Sequence, residues 1–306
     1  MKNRNNIHNS PQFAIIHNKN EILQSLLHWW NPNYISSQQT YYVFSSSNPL
    51  LYLCGMEAVF NISLPTSWAE LSDAQLLMVY SLFSRDLSAA EVKTLCLMKW
   101  NHLKVLATLP VHRFLIKRKK EQAVLCTRQI QQATSVLDFL DSFAPMPVRI
   151  SRIGKYRALP ADFEKVPFEQ YLYVDNLFQG YLNTQQDELL LQIAQVLYAS
   201  DDVKPSKAHL VGIFYWMASL KQYFASLFSN FYKPAPAKGD DNLLGSVQPD
   251  IYCQLRDSTN AMIRALTGGD ITKEAAIMKM DTWRALTELD AKAREVEEYR
   301  KATKKP

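Results

Sequence analysis

Asp281-Thr-Trp283-Arg-Ala-Leu286-Thr-Glu-Leu289-Asp-Ala-Lys-Ala293-Arg-Glu-Val296 reads as one amphipathic helix and sets the fold class. Trp283, Leu286, Leu289, Ala293 and Val296 fall at the three-and-four spacing that lines one face of a 3.6-residue period, and Asp281 stands where a capping side chain belongs. The other faces are ionic. Glu288 with Lys292, Asp290 with Arg294 and Glu297 with Lys301 each place the acid four residues before the base, and each pair supports the helix by roughly 0.2–0.5 kcal/mol. Such a helix needs little help to form, but its apolar stripe has to be covered. The cover is either the preceding turns at 261–266 and 275–280 or another chain. In the second case Trp283, Leu286, Leu289, Ala293 and Val296 are the contact residues, with Trp283 the hot spot.

Working outward, Gly268-Gly269-Asp270 stops one helix and caps the next, so 249–306 is expected to be a helical hairpin. Pro234-Ala-Pro236, Gly239-Asp-Asp241 and Gly245 make 234–248 a linker. Ahead of it the periodicity predicts helices over 168–182, 185–198 and 207–232, the last apolar nearly all round and therefore the most buried. Residues 67–100 read as a helical hairpin whose second member opens with Ser88 and Glu91 in capping-box spacing. Two short strands, 113–116 and 123–126, flank a charged turn at 117–121, after which Thr127 is expected to cap a helix through Phe143. The first fifty-five residues, crowded with Asn and Ser, read as an extension outside the native protein, with Met56 as a natural start.

Eight glycines and fourteen prolines in 306 residues are few for an all-β chain, and a 47% hydrophobic content supplies a core. The expectation is mainly α: a multi-helix globular domain over 56–233 with a small β-hairpin near 113–126, then a C-terminal helical hairpin on a linker.

Chemistry is harder to find. The formal net charge of +5 is spread among interleaved acids and bases, which does not by itself argue for nucleic acid. The one dense cationic run, Arg113, Lys117, Arg118, Lys119, Lys120 and Arg128, is a candidate patch for an anionic partner. A solvated hairpin tip, whose lysines discourage edge-to-edge pairing, is the preferred reading. A second basic stretch holds Arg149, Arg152, Lys155 and Arg157. The helix starting at Ser88 offers Lys93 and Lys99 but no base-reading cluster at its start, so it reads as a packing element. Cys54, Cys96, Cys126 and Cys253 are isolated, which suggests neither a disulfide framework nor a metal site and fits a reducing compartment. The longest apolar run, 210–218, is far below the ~20 residues of a membrane span. Phosphate-binding, dinucleotide-binding, zinc-protease and hydrolase signatures are absent, and no two histidines share a helix face at ligand spacing. No catalytic residue, cofactor or metal is expected.

Four features carry a resemblance, among them the Lys/Arg-rich β-turn and the Leu137-Asp-Phe-Leu140 helix. Leu64-Pro-Thr-Ser-Trp68-Ala-Glu-Leu71-Ser ahead of the helical hairpin, and Ala265-Leu-Thr-Gly-Gly-Asp-Ile-Thr-Lys-Glu274 running on to Met280-Asp-Thr-Trp-Arg-Ala-Leu286 and Glu295, resemble proteins encoded in the tail-morphogenesis clusters of bacterial prophages. From Met56 onward the chain is similar to tail assembly chaperones. The resemblance implies a non-enzymatic factor of the bacterial host cytoplasm that holds the tape measure protein until the tail tube forms, with a homo-oligomer compatible with that role. A virion structural component, and a nucleic-acid-binding regulator using the basic hairpin, remain alternatives.

Overall fold

The computed structural model describes residues 51–54, 59–233 and 251–303. Of the extension expected over 1–55 only 51–54 fall among them, and the linker expected at 234–248 lies outside them. Nine α-helices and one three-stranded antiparallel sheet dominate the described residues, the mainly helical fold that the periodicity predicts.

The chain divides into two compact units. One holds the described residues up to 144 together with Lys207–Gly212, and the other holds Pro145–Ser206 and the described residues from 213 onward. That division differs from the boundary expected between 233 and 249, because the apolar face of the terminal hairpin packs into the second unit.

In the first unit, β1 (Leu51–Cys54) pairs antiparallel with β2 (Val59–Ile62), so the boundary expected at Met56 falls between two paired strands. Two helices follow. α1 (Asp73–Phe83) opens on a Ser72–Gln75 capping box and α2 (Ala89–Trp100) on the predicted Ser88–Glu91 box, where the Ser88 N–H donates to Glu91 Oε2 at 2.8 Å. Each box satisfies backbone donors that helix geometry leaves unpaired. Trp68 anchors the core beneath them: its Nε1 donates to the carbonyls of Phe139 and Ser142 at 2.9 and 3.0 Å, and its ring stacks on Tyr80.

The sheet runs in the order β3 (Lys104–Leu109), β4 (Arg113–Arg118), β5 (Glu121–Cys126). β4 and β5 are the predicted hairpin. β3 is not predicted because Lys-Val-Leu-Ala-Thr-Leu has no clean alternation and begins only three residues after a helix. After β5 the chain forms α3 (Thr127–Thr134) and then a 3-10 helix over Ser135–Asp141, instead of the single helix expected to reach Phe143. Thr127 does not cap it. Its Oγ1 donates to the His112 carbonyl at 3.2 Å, while Gln129 Oε1 accepts the Cys126 N–H.

The second unit contains the two-residue strands β6 (Arg152–Ile153) and β7 (Tyr156–Arg157), α4 (Phe168–Thr184), α5 (Asp187–Leu197), the part of α6 (Lys207–Leu227) from 213 on, α7 (Ile251–Thr267), the short α8 (Glu274–Met278) and α9 (Thr282–Thr303). Between 211 and 220 only Tyr215 of α6 escapes full burial, as its all-round apolar pattern requires. Trp216 stacks on Phe163, and its Nε1 donates to the Ala161 carbonyl at 2.7 Å. The starts of α4 and α9 are laced together by an antiparallel bridge between Pro167 and Asp281. Phe168 N–H donates to the Met280 carbonyl at 2.8 Å, and Thr282 gives both its N–H and its hydroxyl to the Val166 carbonyl.

Candidate functional site

The terminal helix is where the sequence places a contact stripe, and the structure splits that stripe in two. Asp281 caps α9 as expected, its Oδ1 accepting the Arg284 N–H at 3.2 Å. Leu286 and Leu289, 0% and 4% exposed, are core residues of the second unit. Trp283 packs edge-on against Tyr223, Phe224 and Phe228 of the chain around α6, and its Nε1 donates to the Asp162 carbonyl at 2.8 Å. These three residues therefore pack within this chain's own fold, Leu286 and Leu289 fully and Trp283 in part. Ala293 is half-buried, and Val296 is exposed at 51%. Beyond them Tyr299, 72% exposed, lies one turn further on and was not singled out by the sequence reading.

The charges on α9 are also redistributed. Glu297 pairs with Lys301 at 3.1 Å as predicted, and with Lys233 at 2.7 Å. Asp290 instead accepts the N–H groups of Asn230 and Phe231 at 2.8 and 3.0 Å and the Asn230 amide at 2.8 Å. Burial alone would raise the Asp290 pKa. The donors from Asn230 and Phe231, with the Arg294 charge, outweigh it and hold the carboxyl below the usual aspartate range. Asp290 thus clasps the end of the α6 region to the middle of α9.

The basic patch is equally divided. Arg118 is a structural residue: it pairs with Glu121 at 3.0 Å, donates to the Asn61 carbonyl and lies 5.3 Å from the Phe60 ring centroid. Arg113 Nε donates to the Pro110 carbonyl at 3.3 Å. Lys119 and Lys120 form the exposed two-residue turn of the β4–β5 hairpin, with Lys119 in the left-handed region at φ 53°. Lys117 sits directly across the ladder from Lys104, and Arg128 is exposed at the start of α3. Lys93, whose freedom a DNA-reading helix would need, instead ion-pairs with Asp138 at 2.6 Å and with Asp141. In the second unit, Arg152 and Arg157 are cross-strand partners on β6 and β7, Lys155 lies over the Tyr156 ring, and Arg149 Nη2 donates to the Ala158 carbonyl.

One buried polar cluster went unnoticed in the sequence. Lys221 Nζ meets Asp175 Oδ1 at 2.7 Å, with the two side chains 12% and 15% exposed, and Lys221 lies over the Tyr232 ring. The Tyr171 and Tyr232 hydroxyls are 2.7 Å apart. Burial, reinforced by the Asp175 charge, pushes the Tyr171 phenol well above its ordinary pKa, so it stays protonated. The spacing of Asp175 and Lys221 on separate helices is invisible in one dimension. The cluster ties α4 to α6 and the chain just past it. A depression of about 310 Å³ elsewhere in the second unit is lined by Tyr173, Gln192, Gln195, Val196, Ala199, Ser200 and Asp201.

Among the described residues, no three His, Cys, Asp or Glu side chains converge as metal ligands, and no helix is long and apolar enough to cross a membrane. No protein-family model, curated protein or solved structure matches the chain. What the geometry offers is exposed surface: the distal turns of α9 and the cationic sheet of the first unit.

Proposed function

We propose that this protein is a non-enzymatic assembly factor of a phage or prophage tail, holding a helical client, the tape measure protein, in the cytoplasm of a bacterial host. One observation carries the reading. α9 continues to Thr303 after Leu289, its last fully buried residue, and Val296 and Tyr299 stand exposed at helical spacing among charged neighbours. An apolar pair bordered by Glu and Lys on an otherwise anchored helix suits reversible engagement of another helix. The resemblance to tail-cluster proteins supplies the client. Replacing both residues, V296E with Y299E, is expected to leave the thermal unfolding midpoint unchanged and to abolish co-purification with the tape measure protein from cells producing both. Undiminished co-purification would overturn the proposal.

A further inference from the structure

We infer that the open edge of β3 is a second binding surface, which takes an extended, acidic segment of a partner protein as an added strand. The inference is independent of the role given to α9.

β3 pairs with β4 on one side, and among the described residues no strand pairs with it on the other. Five of its six residues are exposed, Val105 and Leu106 at about half of their surface. The hydrogen-bond alternation of an antiparallel sheet tells which groups face outward. Arg118 and Glu121 close the two-residue loop of the β4–β5 hairpin, so Ile116 and Phe114 bond to β5 while Leu115 and Arg113 bond to β3. Their partners Ala107 and Leu109 bond inward, which leaves the Thr108 N–H and carbonyl facing the open edge. An unpaired edge of this kind templates strand addition.

Charge chooses the occupant. Lys104 and Lys117 are directly opposed across the ladder, an arrangement that like charges disfavour, and the exposed Lys119 and Lys120 follow at the next turn. A carboxylate-bearing strand relieves that repulsion. A protective edge would carry its charge in mid-strand, whereas here mid-strand holds Val105 and Leu106, and Val111 follows, 80% exposed at φ 62°. Other occupants fit less well. A second copy would bring like charges together. The chain's own first fifty residues carry Lys2, Arg4 and Lys19 against Glu21 alone. Nucleic acid would need exposed rings for stacking, and the face that bears Lys104 and Lys117 carries Ala107, Leu115 and Val124.

The test uses the full chain and a fluorescein-labelled synthetic peptide alternating valine with glutamate, read by anisotropy. Binding is expected to be at least about tenfold tighter than for the lysine counterpart, to weaken by about five- to tenfold in T108P, which lacks the outward N–H, and to weaken further in K104E. T108P must keep the far-UV circular dichroism of the parent; K104E, which leaves the backbone intact, carries the test should T108P misfold. Equal binding of the two peptides, no loss in K104E, tighter binding of single-stranded DNA at the same face, or dimerisation abolished by K104E would each overturn the inference.

Discussion

Asp290 shows how one residue can change meaning between sequence and structure. At helical spacing its partner is Arg294, a surface pair worth a few tenths of a kcal/mol. In the fold it accepts three hydrogen bonds from Asn230 and Phe231. Removing it by D290A leaves those backbone donors without their acceptor and is expected to cost about 1–2 kcal/mol in denaturant unfolding. The pH dependence has a definite sign. Because the folded-state pKa lies below the unfolded one, the stabilisation is complete above the ordinary aspartate value of about 3.9 and is lost as pH falls below it through the folded pKa. The difference in stability between parent and D290A should therefore shrink below about pH 4, and a difference that stayed constant down to pH 2 would remove the clasp.

At the scale of elements, helices announced themselves wherever local chemistry repeats: the Ser88–Glu91 box, the Asp281 cap and the all-round apolar α6 were legible because caps and periodicity are set within a few residues. β3, the switch from α3 to a 3-10 helix, and the Asp175–Lys221 pair were not, since each depends on a neighbour distant in sequence. The same limit hid the close approach of α6 to α1. A Cβ at Gly212 would lie 2.7 Å from Tyr80 Cδ2, on a ring that is 1% exposed and stacked on Trp68. Helix propensity favours alanine there by about 1 kcal/mol, but overpacking a ring that cannot turn away costs about 1–3 kcal/mol, so G212A should lower the unfolding midpoint. G180A, whose Cβ would meet only the end of the Leu189 side chain at 3.2 Å, should be neutral or stabilising. A midpoint that rises in G212A would show that the helix end yields.

For the whole molecule, the question posed by the terminal helix was whether its stripe meets another chain or its own, and the answer changes along its length. Ala285, Leu286 and Leu289 belong to the core of the second unit, whereas Val296 and Tyr299 are exposed. Truncation separates the two roles. A chain ending at Lys292 keeps the Asp281 cap, the Trp283 packing and the Asp290 hydrogen bonds, and should unfold within about 1 kcal/mol of the parent, since it loses the half-buried Ala293, surface ion pairs and otherwise solvated helix. A chain ending at Met280 also loses Trp283, Leu286 and Leu289. Each of the two buried leucines contributes about 1.5–3 kcal/mol, and with the half-buried Trp283 they approach the ~5–15 kcal/mol that holds a domain folded. The second unit of that chain should lose its cooperative unfolding transition and the near-ultraviolet signal of Trp216. If both truncations unfolded alike and cooperatively, α9 would be an appendage throughout, and the terminal stripe would again be free to bind along its full length.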